Sequence, residues 1–595
     1  MPALLFLFYF VNIFLADIMY LTERHYMDKV MLSGAQILIR SLVNEGVKEV
    51  FGYPGGAVLP LYDKLYLQND IKHYLVRHEQ AAVHAAEGYA RVSGKAGVAI
   101  VTSGPGACNT VTGLANAYYD GTPLVLITGQ VNSRLIGADA FQEADVVGIT
   151  RSCCKHNYLV KDVRELSRVI KEAFFIATTG KKGPVVVDIP VDVFSAKCAF
   201  KYPKNVDLVG YNPNYKGHPL QIKKALQAIF DSKRPVIISG GGVVASNASK
   251  ELTEVAVKLK LPVVHTLMGT GTFPDNLEMS LGMMGMHGNY CANLTVANAD
   301  LIFAIGTRFS DRITGSLNKF ARDAQVIHVD IDPCSISKNV KATIPIVGDI
   351  KDVLSTMLKY INNSNHTIDD SLVQKWYAEI NEWRTKVAYM PPSKERLSAI
   401  NVLKTIYDYT KKDEPIIATE VGQHQMWTAQ IFKFNQPRKL VTSGGLGTMG
   451  FGFPAAIGAY VAKPDNYIIN IAGDGSIQMN IQELMTAVDY NVKVINCVIN
   501  NGYLGMVRQW QEKIYDEHYS QTKITSPDYV KLAESYGALG IRVTKEEEII
   551  PALKKAIEHN GPSIIDFICE TKEMVLPWVL AGEAIDNVLL SAGDC

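Results

Sequence analysis

Short apolar runs alternate with stretches of helical spacing along most of this chain. Residues 467–472 (YIINIA) are apolar and rich in Ile, which predicts a strand buried on both faces. Residues 481–490 carry helical spacing, and residues 492–499 form a second buried strand that ends at Asn500 and Asn501. The same alternation repeats in three blocks. The first, 28–195, has strands at 98–101, 124–127 and 185–188 between Gly and Pro turn signals. The second, 219–360, has them at 236–239, 263–266, 301–305 and 326–330. The third, 397–570, adds a strand at 416–419 to the segment already described. Such alternation predicts an α/β protein of three domains, each a mostly parallel sheet flanked by helices. Polar stretches at 201–218 and from 362–370 read as connections, and 571–595 as a tail that closes over part of the molecule.

At 595 residues, 48% hydrophobic and with zero formal net charge, the chain is long enough for three domains and gives no sign of a nucleic-acid partner. Its nine cysteines follow no metal-ligand rhythm and read as free thiols in a reducing compartment. Residues 1–27 form an apolar extension that carries Asn12 and Asp17 and has no preceding basic residue, unlike a signal or transit peptide. Its length would allow an anchor. An upstream start with Met27 as alternative initiator is preferred, and no membrane is expected. Heavy use of Lys, Ile, Asn and Tyr suggests an AT-rich genome, of an organelle or a bacterium.

The candidate chemistry begins at Gly473-Asp474-Gly475. Two glycines turn the backbone around the carboxylate and leave room for phosphate oxygens. A right-handed crossover brings both strand ends to one edge, so Asp474 and Asn501 can meet there. One carboxylate and one amide oxygen, completed by diphosphate and water, suit Mg2+. The competing reading, an ordinary strand-turn-helix with Asp as a cap, is the better one for the turn taken alone and gives way once Asn500-Asn501 follows at crossover distance. Residues 443–450 (SGGLGTMG), with Gly447 and Met449, form a glycine-rich loop opening a helix, a common anion-binding device. Glu79 follows a predicted strand at the start of an Ala-rich helix; by itself it is a helix N-terminal carboxylate.

The segment from Gly473 to Asn501, with Ser476, resembles the cofactor motif of the thiamin-diphosphate-dependent decarboxylases and carboligases. The YPGG stretch with Gly55 and Gly56, RHEQ with Glu79, and TSGPG at 102–106 resemble the pyrimidine-binding half of that family. The resemblance implies that Glu79 hydrogen-bonds the aminopyrimidine and promotes the imino tautomer that removes the C2 proton. It also implies that Gln423 and His424 contact the diphosphate and that Met449 props the thiazolium. In the family the two halves of one site come from different subunits, so a homodimer is the minimum active unit.

The middle block carries MMGMHG with His287, GTRFSDR with Arg308, HVDID with Asp330 and Asp332, and VGD with Asp349. In that order they resemble the FAD-binding domain of the acetohydroxyacid (acetolactate) synthases; Gly240 to Gly242 alone is too slight for a dinucleotide fingerprint. The likeness runs from about 29 to 570 and includes 140–151 and 502–511. It implies the thiamin-diphosphate enzyme architecture, with thiamin diphosphate, Mg2+ and a structural FAD. The implied activity is decarboxylation of pyruvate and transfer of the hydroxyethyl carbanion to pyruvate or 2-oxobutanoate, in branched-chain amino-acid biosynthesis. The substrates are small 2-keto acids, and the family usually adds a small regulatory subunit. Trp510 would border the acceptor pocket, with Gln142 and Phe141 as lesser candidates. Lys181 stands where many relatives have an Arg that contacts flavin, and Lys cannot make a bidentate contact. Val191 replaces a Lys at the channel mouth. An FAD-linked pyruvate oxidase on the same scaffold is the alternative, and a catalytically silent relative a third reading. The expected compartment is the plastid stroma, with the bacterial cytoplasm as alternative.

Overall fold

Burial sorts the apolar runs into three six-stranded sheets in which every neighbouring pair is parallel. A computed structural model describes residues 31–363, 368–388, 396–591 and 593; the apolar extension expected at 1–27 lies outside the described residues. The first sheet runs Lys72–Leu75, Glu49–Gly52, Gly97–Val101, Leu124–Gln130, Pro184–Pro190, His156–Leu159 across its width. The third runs Leu440–Val441, Ile416–Thr419, Ile468–Gly473, Val494–Asn500, Ser563–Ile568, Leu539–Val543. Numbered by sequence within each sheet, both have the order 2-1-3-4-6-5. The second sheet has the order 3-2-1-4-5-6, from Ser280–Met283 through Val263–His265, Pro235–Ser239, Leu301–Ile305 and Gln325–Asp330 to Ile344–Val347. That is the doubly wound order of dinucleotide-binding folds.

Central strands are apolar on both faces because helices cover both, as in Leu124–Gln130 and Pro184–Pro190, where every residue is buried. The edge strands His156–Leu159 and Leu539–Val543 are half-buried and carry no continuous apolar run. After the polar connection at 362–370 comes a helix, Asp370–Arg384, of which only Trp376 and Ile380 are buried. Two apolar positions four apart make a stripe too narrow to stand out in the sequence. Trp376 Nε1 donates to the Pro235 carbonyl at 3.0 Å, which ties this helix to the second sheet.

The first and third units meet through the helices Glu79–Ser93 and Gly452–Ala462. A Cβ on Gly88 would lie 2.0 Å from the Ala455 carbonyl oxygen, and one on Gly458 would lie 1.8 Å from that of Ala85. Backbones this close explain the run of Ala in the first helix. In the tail, Met574, Leu576 and Trp578 are buried, and Gln509 exchanges two hydrogen bonds with the Val575 backbone, at 3.2 and 2.8 Å. The tail therefore closes over the helix Gly505–Ile514, as its apolar content suggested. No helix among the described residues is long and apolar enough to cross a membrane.

Asp188 lies inside the first sheet and accepts from Thr128 Oγ1 at 2.6 Å and Gln130 Nε2 at 3.0 Å. Burial nonetheless pushes its carboxyl up to about 7. Between the ordinary carboxylate range and pH 7 the folded chain thus holds a proton that the unfolded chain releases, so this group's contribution to stability rises as pH falls from 8 to 6. The expected gain is about 1 kcal/mol. Thermal unfolding of the parent and Asp188→Asn at both pH values should show the parent gaining stability relative to the variant as pH falls.

Candidate active site

In an open parallel sheet the ligand crevice forms where neighbouring strands send their connections in opposite directions. In the third sheet that point falls between Ile416–Thr419 and Ile468–Gly473. One cleft there gathers Gln423, His424, Met449, Gly473, Asp474, Gly475, Ser476 and Asn501. Gly447, at φ 69°, turns the loop two residues before Met449. A Cβ on Gly473 would stand 2.9 Å from the His424 ring and one on Gly475 2.7 Å from the end of the Leu504 side chain, so any larger residue would crowd this turn.

Asp474 is buried at the cleft floor, and one of its oxygens, Oδ2, accepts from the Gly502 N–H and from Ser526 Oγ, each at 3.0 Å. Burial pushes its carboxyl up to about 6 against those two donors. A cation beside it would reverse that burden. Asn501 Oδ1 accepts from the Tyr503 N–H at 3.1 Å, while its Nδ2 reaches Gln423 Oε1 at 3.4 Å. Gln423 Nε2 donates to Gln509 Oε1 at 3.0 Å and to the Glu573 carbonyl at 2.9 Å, which links the cleft to the tail. His424 is held neutral by burial, near 3, and its Nε2 is buried with no partner. An orphaned ring nitrogen, two closely packed glycines and an acidic floor fit a diphosphate with a divalent cation.

The glycine-rich loop is fixed at both ends by carboxylates. Asp120 of the first unit accepts from the N–H of Gly444 at 3.0 Å and Gly445 at 2.6 Å. Glu420 accepts from Gly450 at 2.7 Å and from Phe453 at 3.0 Å, and burial pushes it up to about 7. Arg91 bridges Glu87 and Asp120 at 2.5 and 2.6 Å. Sequence reasoning gave none of these a role, although Glu420 directly precedes Val421-Gly422-Gln423.

Glu79 opens its helix, half-buried, and its Oε2 accepts from Asn109 Nδ2 at 2.9 Å. Its neighbours come from the equivalent crevice of the first sheet. A Cβ on Gly55 would meet Thr102 at 2.5 Å, and one on Gly106 would meet Glu79 Oε1 at 3.3 Å; Gly56 starts the following turn. Gln142 is left-handed at φ 59°, a conformation few non-glycine residues adopt, and its backbone packs against Gly104. Phe141 beside it is 88% exposed. Among the described residues, none of this first unit lines the cleft at Asp474 in the same chain.

In the second sheet the crevice lies between Pro235–Ser239 and Leu301–Ile305. Gly240 and Gly242 follow the first of these strands, and Cβ atoms there would collide with Gly306 at 2.2 and 2.6 Å. Arg308 follows the second strand and reaches Gly445, where a Cβ would stand 2.9 Å from its Nη2. Beside the crevice a cavity is bounded by Gly241, Met268, Arg91, Asp120, Lys182 and Arg438, from all three units. Asp330 is buried and pushed up to about 6, with Oδ1 accepting from the Asp332 N–H at 2.9 Å. Lys181 pairs with Asp332 at 3.4 Å. Asp349 spends its Oδ1 capping the helix Ile350–Asn362. His287 stacks on Trp578 with ring centroids 6.2 Å apart, and burial lowers it to about 4. Trp510, half-buried on Gly505–Ile514, packs edge-on against Trp578 at 5.4 Å.

The chain matches three family models: the thiamine pyrophosphate enzyme N-terminal TPP binding domain at residues 32–149, central domain at 222–357 and C-terminal TPP binding domain at 420–567. It is 47% identical over 571 residues to the acetolactate synthase isozyme 3 large subunit of Escherichia coli, covering 94% of this chain and 99% of that protein. The probable acetolactate synthase large subunit of Methanocaldococcus jannaschii is 47% identical over 568 residues, covering 94% and 95%. An acetolactate synthase large subunit of Mycobacterium tuberculosis is 46% identical over 571 residues, covering 94% and 92%. The chain belongs to the thiamine pyrophosphate enzymes and, within them, to the acetolactate synthase large subunits.

Proposed function

We propose that the chain condenses pyruvate with a second 2-keto acid, releasing CO2 and giving an acetohydroxy acid. The observation that carries this reading is the cleft in which Asp474, Asn501, Gln423 and His424 converge on one sheet edge. Asp474 and Asn501 would hold Mg2+, and His424 and Gln423 the diphosphate of thiamin diphosphate. When bound, that cofactor supplies a thiazolium carbon acidic enough to become a nucleophile toward keto carbons. Glu79 holds or moves the proton on the aminopyrimidine nitrogen, and Met449 fixes the orientation of the rings. Burial of the cleft floor excludes water and strengthens each charge interaction there.

FAD fits the second unit: the sheet order, the glycine cluster at 240–242 and the adjoining cavity suit a dinucleotide. Arg308 and Asp330 stand at its strand ends, with Lys181, Asp332 and Asp349 nearby, and His287, which also stacks on Trp578, remains a candidate for the same group. The reaction has no net redox change, so the flavin's part is structural. Glu79 is not among the residues that line the cleft at Asp474 within one chain, which supports a homodimer whose sites take one half from each subunit. Relatives named large subunits support a small regulatory partner. The working domain limits are 28–195, 219–360 and 397–570, with 571–595 as tail. Bacterial relatives support the bacterial cytoplasm as compartment and lend nothing to the plastid expectation.

Incubation of the chain with pyruvate, Mg2+, thiamin diphosphate and FAD should give acetolactate, read as acetoin colour after acid decarboxylation. Acetyl phosphate formed only with phosphate and oxygen would overturn the reading in favour of an oxidase. Trp510 offers a flat apolar wall to the extra methylene of 2-oxobutanoate, worth about 1 to 3 kcal/mol. Trp510→Leu is therefore expected to lower the preference for 2-oxobutanoate over pyruvate by about tenfold. Competition between the two acceptors, followed by product ratio, measures it; an unchanged ratio removes Trp510 from substrate choice.

A further inference from the structure

The helix Glu483–Asp489 lies inside the crossover from Gly473 to Asn501, yet its polar side chains do not line the cleft. They grip residues 75–78 of the first unit, the segment that runs directly into Glu79. Glu483 is fully buried and accepts from the Arg77 N–H on both oxygens, at 2.9 and 3.1 Å. The neighbouring His78 N–H also favours its charged form. Thr486 Oγ1 donates to Glu483 Oε2 at 2.7 Å and approaches the Leu75 carbonyl at 3.3 Å. Asp489 pairs with the Arg77 guanidinium, and the Tyr490 hydroxyl accepts from the Leu75 N–H at 2.9 Å. Positions 483, 486, 489 and 490 fall on one face of a helix, so a single rigid element seats the whole approach to Glu79.

We propose that Glu483 is a positioning residue for Glu79: it fixes the backbone of Arg77 and His78 and thereby the direction in which the Glu79 carboxyl leaves its helix. A carboxylate on the first turn of a helix ordinarily serves that helix's own N-terminus. Glu483 instead directs both oxygens across to another unit. Burial pushes its carboxyl up to about 7, so it is kept there at a cost to the charged form. His78, extended at φ −152°, is the cap from which Glu79 starts, and displacement of a proton-transferring group by about 1 Å can cost a hundredfold in rate. The segment that holds the metal and diphosphate of a site in the third unit thus also aims the carboxyl of the first.

The inference rests on the reading of Glu79 given above, and the full-length chain tests both. Amide hydrogen exchange without cofactor should show Arg77 and His78 losing protection by about tenfold or more in Glu483→Gln. With thiamin diphosphate and Mg2+ bound, deuterium exchange at the thiazolium C2 should slow by about 10- to 100-fold, while thiamin diphosphate affinity stays within about twofold. Thr486→Val removes one donor to Glu483 at nearly constant volume and should move both readouts the same way by less, which keeps the test open if Glu483→Gln folds poorly. C2 exchange within twofold of the parent in both variants would overturn the proposal, as would slowing that merely tracks weaker cofactor binding. Glu79→Gln separates the two readings. If it leaves C2 exchange intact, the role of Glu79 falls; if it stops exchange while the Glu483 and Thr486 variants do not slow it, only this inference falls.

Discussion

Glu79→Gln is expected to abolish most acetolactate formation, lowering the turnover number by about 10²- to 10⁴-fold, the range for loss of a positioned acid-base group. The fold should survive, because a glutamine oxygen can still accept from Asn109 Nδ2, which now lies 2.9 Å from Glu79 Oε2. Thiamin diphosphate affinity should change little, since on the proposed reading the diphosphate would be gripped in the third unit. The defect therefore belongs in turnover rather than in cofactor saturation. Steady-state rates across a thiamin diphosphate titration make that separation, and near-parental carboligation would remove Glu79 from the chemistry. Mixing this variant with an Asp474 variant adds a test of the dimer: if each site takes one half from each subunit, mixed dimers should regain some sites with both residues intact.

What the sequence displayed and what it hid divide along physical lines. The stretch from Gly473 to Asn501 was legible because strands buried on both faces are continuous apolar runs, and because glycines and side-chain amides mark where they end. Ile416–Thr419 and Leu301–Ile305 stood out for the same reason. Edge strands such as His156–Leu159 did not, since exposure on one side removes the apolar signal. Gly240 to Gly242 were too few to argue from, and became informative only once the order 3-2-1-4-5-6 placed them at the switch point of the second sheet. Local signals also cannot show partners distant in the chain. The contacts from Glu483 to Arg77, from Asp120 to Gly444 and from Gln509 to Val575 span scores to hundreds of residues. Lys181 illustrates the limit differently: its poor match to a flavin-binding Arg was visible, but its ion pair with Asp332 was not.

Asp474→Asn should separate cofactor binding from folding more sharply than any other single change. Asn retains a carbonyl oxygen to accept from the Gly502 N–H and Ser526 Oγ, so the turn between its two glycines keeps its hydrogen bonds. It removes a carboxylate that burial has already driven up to about 6. At pH 7.5 that group is mostly ionised in a dry site, so without a cation its replacement should leave the apo chain as stable as before or more so. With Mg2+ the sign should reverse, because an ion held by Asp474 and Asn501 would lose its one charged protein ligand and keep only a neutral oxygen. Mg2+-dependent binding of thiamin diphosphate is expected to weaken by at least about a hundredfold. Calorimetric titration reads the binding and thermal unfolding of the apo protein reads the fold. A variant that loses affinity with an unchanged or raised apo melting temperature identifies Asp474 as a metal ligand. Loss of both together would mean that the carboxylate holds the turn, and retained affinity that the cation binds elsewhere.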